Sequence, residues 1–105
     1  MTYIINFAPQ GVTICRGHNE LRDCINDNYR RGKQYLIENI LPMHYIERFY
    51  IVYEWDIGIY TTEPIPNRKL YDYIDFLKSE NANILNIYEH TNQTAYPQPF
   101  EVLIP

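Results

Sequence analysis

Residues 45–60 read YIERFYIVYEWDIGIY, and this segment decides the fold. It carries four tyrosines, four isoleucines, one tryptophan and one phenylalanine. At a period of two, one set of side chains is apolar and the other holds most of the charges. The first set is Phe49, Ile51, Tyr53, Trp55, Ile57 and Ile59, and the second is Arg48, Tyr50, Val52, Glu54, Asp56 and Tyr60. This alternation predicts an extended β segment that buries the first set and exposes the second.

Two turn signals divide the strands around this segment. Asp56-Ile57-Gly58 interrupts the alternation, and it predicts either a bulge or a tight turn that makes two strands. Near the start of the chain, Thr2 to Ala8 and Val12 to Cys15 have β-type composition on either side of Pro9-Gln10-Gly11. These residues predict a hairpin with Gly11 in its turn.

The first predicted helix follows that hairpin. Asn19 is a suitable N-cap, and Gly32 is a natural residue just past the C-terminus. Between them, an apolar stripe at helical spacing consists of Leu21, Cys24, Ile25 and Tyr29.

The second predicted helix begins after the extended Glu63-Pro64-Ile65-Pro66 segment, with Asn67 as its cap, and ends at Asn81-Ala82-Asn83. Its apolar face consists of Leu70, Tyr73, Ile74 and Leu77. Its opposite face includes Asp72 and Asp75, so the helix is amphipathic and should cover a sheet.

The other segments complete an α+β pattern. Lys33 to Met43 fits a helix or a strand equally well. Ile84 to Tyr88 and Phe100 to Ile104 predict short strands around a polar loop, Glu89 to Pro99. The order is ββα, two or three central strands, then αββ. We therefore expect a single domain of 105 residues, with a mostly antiparallel sheet of about five to six strands and both helices on one face.

The charge of the chain is negative and unevenly distributed. The formal net charge is −4, and eleven of the 105 residues are tyrosines. Six Lys or Arg face five Asp or Glu up to Arg48, whereas three face eight from Phe49 onward, which gives the second part −5. Such a balance does not suit the neutralisation of DNA phosphates. It is compatible with a partner that has a basic surface, but an acidic surface is more simply explained by solubility.

The cysteines and histidines do not form a recognisable site. Cys15 and His18 have the two-residue spacing of zinc ligands, but no second pair completes a set around His44 or His90. Cys24 lies on the apolar stripe of a helix, where thiols are normally inert, and neither cysteine has a nucleophile motif. Two cysteines are also no disulfide framework. We expect no metal, no cofactor and no catalytic residue, and hence not an enzyme.

Phosphate and nucleic-acid motifs are also missing from the sequence. The four glycines are too far apart for a phosphate-binding loop. The carboxylate pairs Glu54/Asp56 and Asp72/Asp75 lie on predicted solvent faces. The one basic cluster, Arg30-Arg31-Gly32-Lys33, is explained by its place at a helix C-terminus. Direct nucleic-acid binding is therefore not expected.

The sequence shows no membrane or export signal. No stretch approaches the roughly 20 apolar residues of a membrane helix. The opening MTYIINFAPQ lacks the basic and apolar regions of a signal peptide. We therefore expect a soluble cytoplasmic protein.

The strongest functional signal is a set of tyrosines among carboxylates. Aromatic and acidic side chains together engage Arg- or Lys-rich surfaces through cation–π contacts and ion pairs. The predicted partner-binding residues are Tyr50, Glu54, Asp56, Tyr60, Tyr71, Asp72 and Asp75. They indicate a small non-enzymatic protein-interaction module.

A finer hypothesis concerns the kind of partner. Small acidic proteins that block nucleic-acid-handling enzymes, such as phage-encoded anti-CRISPR inhibitors, share this size and charge, and their carboxylates replace phosphates in a basic groove. The alternative is an oligomeric small-ligand or nucleotide-binding protein with a tyrosine-lined pocket. We also expect a homodimer through the tyrosine-rich strand, because a long apolar edge tends to pair.

Overall fold

The computed structural model describes residues 1–30 and 36–91, and these residues form seven strands and two helices. The strands are β1 (Thr2–Ala8), β2 (Val12–Arg16), β3 (Leu36–Pro42), β4 (Arg48–Trp55), β5 (Gly58–Thr61), β6 (Ile65–Pro66) and β7 (Asn83–Glu89). The helices are α1 (His18–Arg30) and α2 (Leu70–Ser79), and two short 3-10 turns cover Met43–Tyr45 and Asn67–Lys69. The α+β class is confirmed, and the order and number of the elements agree roughly with the predicted pattern, with four strands rather than two or three between the helices.

The strands form two antiparallel sheets. The first sheet has the order β2-β1-β3. In the second sheet, β4 is central: β7 pairs along one edge, and β5 and β6 share the other. Helix α1 packs against β2, whereas α2 packs against β6 and β7. The predicted antiparallel strands and two helices are therefore present, but they are divided so that each sheet carries its own helix.

Several segments that the sequence left open are settled. Residues 36–42, inside the ambiguous Lys33 to Met43 segment, form the edge strand β3. The hairpin around Gly11 is present, with the Phe7 N–H donating to the Gly11 carbonyl at 2.8 Å. The predicted strand Phe100 to Ile104, most of the predicted polar loop and the end of the basic cluster lie outside the described residues.

The register of β4 confirms the alternation at its start. Phe49 and Ile51 are completely buried, and Arg48 and Glu54 are exposed. Val52, which was expected on the exposed side, is 9% exposed, because the first sheet and β5 shelter that face. The alternation therefore predicts correctly which side chains are more buried, but the face of β4 that carries Tyr50 and Val52 is not wholly in solvent.

The turn at Asp56-Ile57 corrects the second part of the predicted pattern. Two residues connect β4 to β5, so Tyr53 lies opposite Tyr60 and Glu54 lies opposite Ile59. Directly opposed residues share a face, which means that the turn exchanges the two sets. Tyr60 thus shares the face of Tyr53, Ile59 shares that of Glu54, and Ile57 is 92% exposed at the turn.

The main hydrophobic core lies between the second sheet, α2 and the inner face of β1. Its side chains come from all three parts, whereas Ile5 and Cys15 of the first sheet are completely buried outside this cluster. The completely or almost completely buried members are Ile4, Met43, Ile46, Phe49, Ile51, Ile65, Leu70, Ile74, Leu77 and Ile87. Burying one such side chain contributes roughly 1.5–3 kcal/mol relative to exposure, and this core fixes α2 on the second sheet.

Two asparagines flank α2, and only the second determines an end of the helix. Asn67 does not cap α2 as expected; its Nδ2 donates to the carbonyls of Met43 and Ile46 at 2.8 and 2.7 Å and ties two turns together. Asn81 has φ of +63°, and the Ala82 N–H donates to the Leu77 carbonyl at 3.0 Å. This bond and the left-handed residue form a Schellman motif, which ends the helix where the sequence predicts.

A buried amide network joins the two sheets. The Asn6 Nδ2 donates to the Ile87 carbonyl at 2.6 Å, and the Ile87 N–H donates to Asn6 Oδ1 at 2.9 Å. The Asn86 Nδ2 donates to the Gly11 carbonyl at 3.1 Å, and the Gly11 N–H donates to the Leu85 carbonyl at 2.8 Å. These bonds satisfy the N–H and C=O of Ile87 and the C=O of Leu85 on the edge of β7 that faces away from β4, and we name this contact the amide seam.

Candidate functional site

An aromatic cluster lies where β4 and β5 meet the end of α2. The Tyr53 and Tyr60 rings are 5.7 Å apart, and Trp55 is 6.4 Å from Tyr60, because the two-residue turn places all three on one face. The Trp55 Nε1–H donates to the Glu80 carbonyl at 3.0 Å, which fixes the indole against the end of α2.

Helix α2 contributes two more rings. Tyr73 and Phe76 are packed edge to face with centroids 6.2 Å apart. Tyr53 is adjacent to them: burial raises its pKa, and the neighbouring Tyr73 and Tyr60 hydroxyls raise it further. We call Tyr53, Trp55, Tyr60, Tyr73 and Phe76 the aromatic patch.

The aromatic patch is exposed in spite of its composition. Trp55 is 47% exposed, Tyr73 39% and Phe76 57%. Between Trp55 and Phe76 lies a small cavity of about 190 Å³, whose other walls are Tyr53, Leu77, Glu80 and Ala82. Contiguous exposed apolar surface of this kind marks interaction sites, and the cavity has the size of one large side chain.

Carboxylates border the aromatic patch on α2. Asp72 precedes Phe76 by four residues, so the two side chains are neighbours on the helix surface, and Asp75 follows Asp72 by three. Both aspartates are exposed, and Glu80 is exposed beside the cavity. A cationic side chain that enters the cavity would meet aromatic ring faces and carboxylates together.

The predicted partner-binding residues are divided among several places. Tyr60 belongs to the aromatic patch, Asp72 is a helix-surface neighbour of Phe76 in it, and Asp75 lies one turn along α2 from Asp72. Glu54 is on the opposite face of the second sheet, and Asp56 is exposed in the turn with φ of +54°. Of the remaining two residues, Tyr71 is 43% exposed on α2, and Tyr50 lines a groove between the two sheets.

Tyr50 lines a groove between the two sheets. The groove has a volume of about 450 Å³ and is lined by Pro9, Gln10, Glu38, Tyr50, Val52, Ile59, Thr61, Leu85, Asn86 and Tyr88. The Tyr50 and Tyr88 rings are 5.5 Å apart, since the two residues are directly opposed on β4 and β7. The hydroxyl oxygen of Thr61 is buried there without a hydrogen-bond partner among the described residues.

Glu38 gives this groove an acidic group. Burial raises the pKa of Tyr88 well above its ordinary value, and the hydrogen bond and negative charge of Glu38 raise it further. Burial also raises the pKa of Tyr50, again with a contribution from Glu38. The groove is therefore mostly apolar, with two neutral phenols beside one carboxylate.

Replacing Glu38 with glutamine should lower the pKa of Tyr88, because it removes a negative charge that opposes tyrosinate formation. In the native protein, folded Tyr88 keeps its proton at a pH where the unfolded chain loses it. The free energy of unfolding should thus be undiminished below about pH 10 and fall as the pH rises through the folded pKa. In Glu38→Gln this alkaline loss should begin at the same pH, because the unfolded tyrosine is unchanged, but it should be smaller and end at a lower pH.

Ultraviolet titration of tyrosinate in Glu38→Gln, compared with the Glu38→Gln/Tyr88→Phe double variant, measures this shift. Glu54→Gln is the matched control, since its carboxylate contributes to none of the three raised tyrosines. An unchanged Tyr88 titration in Glu38→Gln would show that the carboxylate does not contact the phenol.

Cys15 and His18, which have the spacing of zinc ligands in the sequence, contact different partners. Cys15 Sγ lies 3.2 Å from Cys24 Sγ, and His18 Nε2 lies 3.3 Å from the Tyr3 hydroxyl. Across residues 1–30 and 36–91, no group of three or more His, Cys, Asp or Glu side chains is arranged to hold a metal ion. Neither helix in these ranges has the length and apolar character to cross a membrane.

Most of the aromatic patch does not follow from the sequence pattern. Tyr53 and Trp55 were assigned to the buried face and Tyr73 to the apolar stripe of α2, whereas Phe76 and Tyr88 were not singled out. The length of the Asp56-Ile57 turn is the signal that could have placed Tyr53 and Trp55 on the face of Tyr60, because a two-residue connection fixes which residues are opposed.

Comparison with protein-family models, with curated proteins and with solved structures finds no match to this chain. The geometry of the aromatic patch and of the groove is therefore the basis for a functional proposal.

Proposed function

We propose that this chain is a small, soluble, non-enzymatic protein-interaction module that binds a basic partner through the aromatic patch. The observation that carries the proposal is the cavity of about 190 Å³ between Trp55 and Phe76, with exposed aromatic walls and a carboxylate at Glu80. Hot spots of protein interfaces are enriched in aromatic anchors of this kind.

The occupant of the cavity is an arginine or lysine side chain of the partner. Indole and phenyl faces attract a cation by roughly 0.5–2 kcal/mol, depending on how far it is desolvated. The carboxylates of Asp72, Asp75 and Glu80 add long-range attraction. Arginine suits this cavity better than lysine, because its planar guanidinium stacks on aromatic faces and also pairs with a carboxylate.

The finer proposal is that the partner is a nucleic-acid-handling enzyme. Such an enzyme carries a basic groove for phosphates, and the acidic residues of this chain would occupy it as replacements for phosphates. The support is the −5 balance from Phe49 onward and the exposure of Asp56, Asp72 and Asp75. A single-stranded oligonucleotide should then displace this protein from the partner.

A fluorescent twelve-residue peptide of alternating arginine and serine provides a first test. We expect binding at low salt that weakens steeply as salt is raised, since exposed charges are screened. Asp72→Asn/Asp75→Asn should weaken binding about fivefold, as expected for partly solvated charge pairs. The matched control is Asp23→Asn/Glu47→Gln, which removes two exposed carboxylates outside the patch and should bind as the native chain does.

Two results would contradict the proposal. One is the same affinity for this peptide and for its glutamine–serine counterpart. The other is an equal loss of affinity in both double variants, which would indicate net charge rather than a site.

Sedimentation of the protein alone separates a homodimer through the same patch from binding to another protein. The dimer expected from edge pairing of β4 has no free edge to use, since β7, β5 and β6 flank that strand and Thr62 bridges Ile51 between them.

The groove beside Tyr50 and Tyr88 supports a second candidate function, the binding of a small ligand such as a nucleotide. Its volume of about 450 Å³ is in the range of small-molecule sites. Thermal-shift measurements with a nucleotide panel test this candidate, because a bound ligand raises the melting temperature. A shift that is lost in Val52→Trp, which fills the groove, would favour it.

A further inference from the structure

The two thiols of the chain meet at the contact between α1 and the first sheet. Cys15, on β2, is completely buried, and its Sγ lies 3.2 Å from Cys24 Sγ on α1. A disulfide requires a sulfur separation of 2.03–2.05 Å, so the sulfurs must approach by about 1.2 Å, a movement within reach of small side-chain rotations. Both cysteines are free in this structure.

Access to this pair is one-sided. Cys24 is half-buried and borders two surface cavities of about 470 and 390 Å³, whereas Cys15 has no exposed surface. The second cavity is acidic, since Glu20, Asp23 and Asp27 line it beside Cys24. A reagent from solvent therefore meets Cys24 first, and a cationic reagent is favoured over an anionic one.

We propose that Cys15 and Cys24 are a redox-active pair that forms an intramolecular disulfide by exchange with low-molecular-weight disulfides, with Cys24 as the attacked, entry thiol and Cys15 as the resolving thiol.

The exchange has two steps. The Cys24 thiolate attacks one sulfur of a disulfide R–S–S–R and forms the mixed disulfide Cys24 Sγ–S–R. The sulfur–sulfur bond of the reagent breaks, and the leaving R–S⁻ takes up the proton that Cys24 released. The Cys15 thiolate then attacks Cys24 Sγ and forms the Cys15–Cys24 disulfide. The sulfur–sulfur bond between Cys24 Sγ and S–R breaks, and the second R–S⁻ takes up the proton that Cys15 released. Two protein thiols lose two electrons to become one disulfide, and the reagent is reduced to two thiols.

The second step should be the slower one. Burial raises the pKa of Cys15 to about 12, and the neighbouring Cys24 and Glu20 contribute to the increase. Only a small fraction of Cys15 is thiolate at neutral pH, so the mixed disulfide on Cys24 should accumulate first and close faster as the pH is raised.

Closing the bond should stabilise the protein. The bridge ties α1 to β2 across the Gly17 turn and closes a short loop, which removes conformations from the unfolded chain. For a domain of this size we expect the melting temperature of the oxidised form to be higher by about 10 °C. The two forms are then distinguishable without any knowledge of a partner.

The test uses the full reduced chain with three probes: cystamine, hydroxyethyl disulfide and glutathione disulfide, which are cationic, neutral and anionic. Intact mass spectrometry after alkylation should show a product lighter than the reduced chain by two hydrogens. Cystamine should react about tenfold faster than glutathione disulfide at low salt, and this ratio should shrink at high salt. Trypsin cleaves at Arg16 and Arg22, so the unreduced digest should contain the Cys15 and Cys24 peptides joined.

Variants assign the roles of the two thiols. Cys15→Ser should stop at a persistent mixed disulfide on Cys24, and folded Cys24→Ser should not react. Native chain that keeps a mixed disulfide, remains fully reduced or forms only disulfides between chains would overturn the proposal. These outcomes need no variant, so they stand even where Cys15→Ser does not fold.

Discussion

Alanine at position 6 should lower the free energy of unfolding by about 3–5 kcal/mol, the largest effect expected of a single polar substitution here. Asn6 is completely buried, and its amide both donates to and accepts from the backbone of Ile87. Alanine would leave the N–H and C=O of Ile87 buried and unpaired. Each such group costs roughly 1–3 kcal/mol, and the second-sheet edge would lose its contact with β1.

Chemical denaturation of Asn6→Ala measures this loss, and two asparagine variants provide a graded control. Asn39 contributes only its Oδ1, which accepts from Asn6 Nδ2 at 2.8 Å in a partly buried place, so Asn39→Ala should lose about 1 kcal/mol. Asn26 is exposed on α1, and Asn26→Ala should change stability little. A loss below about 1 kcal/mol in Asn6→Ala would mean that water or a backbone shift replaces its bonds.

Truncating Trp55 should have the largest effect on partner binding. The indole forms one wall of the cavity in the aromatic patch, and 47% of its surface is exposed, so little of the folded core depends on it. We expect Trp55→Ala to weaken binding of the arginine–serine peptide about 30-fold, which corresponds to the roughly 2 kcal/mol of a desolvated cation–π contact. Phe76→Ala, on the opposite wall, should show a loss of similar size.

Tyr45→Ala is the matched control for both truncations. Tyr45 is 71% exposed, lies against His44 and is not part of the aromatic patch. Fluorescence anisotropy with the labelled peptide gives the affinities, and thermal melting shows whether each variant is folded. Equal weakening in Tyr45→Ala would indicate that any exposed aromatic contributes, and the site would then have no special status.

Local sequence pattern was sufficient for most of the fold. Phe49 and Ile51 alternate with charged residues, and both are buried in β4 as predicted. The Schellman end of α2 at Asn81 and the hairpin turn at Gly11 depend only on neighbouring residues, so the sequence contains what is needed. Such features are determined within a few positions along the chain.

The division into two sheets depends on contacts between residues far apart in the sequence, which a local pattern cannot predict. Asn6 pairs with Ile87, eighty-one positions away, and a polar residue at an even position in β1 predicts a solvent-facing side chain rather than a buried amide. The sequence pattern does not reveal the aromatic patch for a related reason. Period two places Trp55 inward, but the α2 helix ends beside it and covers only part of the indole.

The amide seam also bears on how copies of this protein behave in a crowded solution. A strand at the margin of a sheet is usually an open template on which a second chain can assemble, and natural proteins obstruct such templates with charges, prolines or bulges. Here a single carboxamide occupies the hydrogen-bonding groups of Ile87 on that margin. Loss of Asn6 would therefore uncover a segment rich in isoleucine and leucine, and such variants should form cross-β aggregates sooner than equally unstable variants of the core.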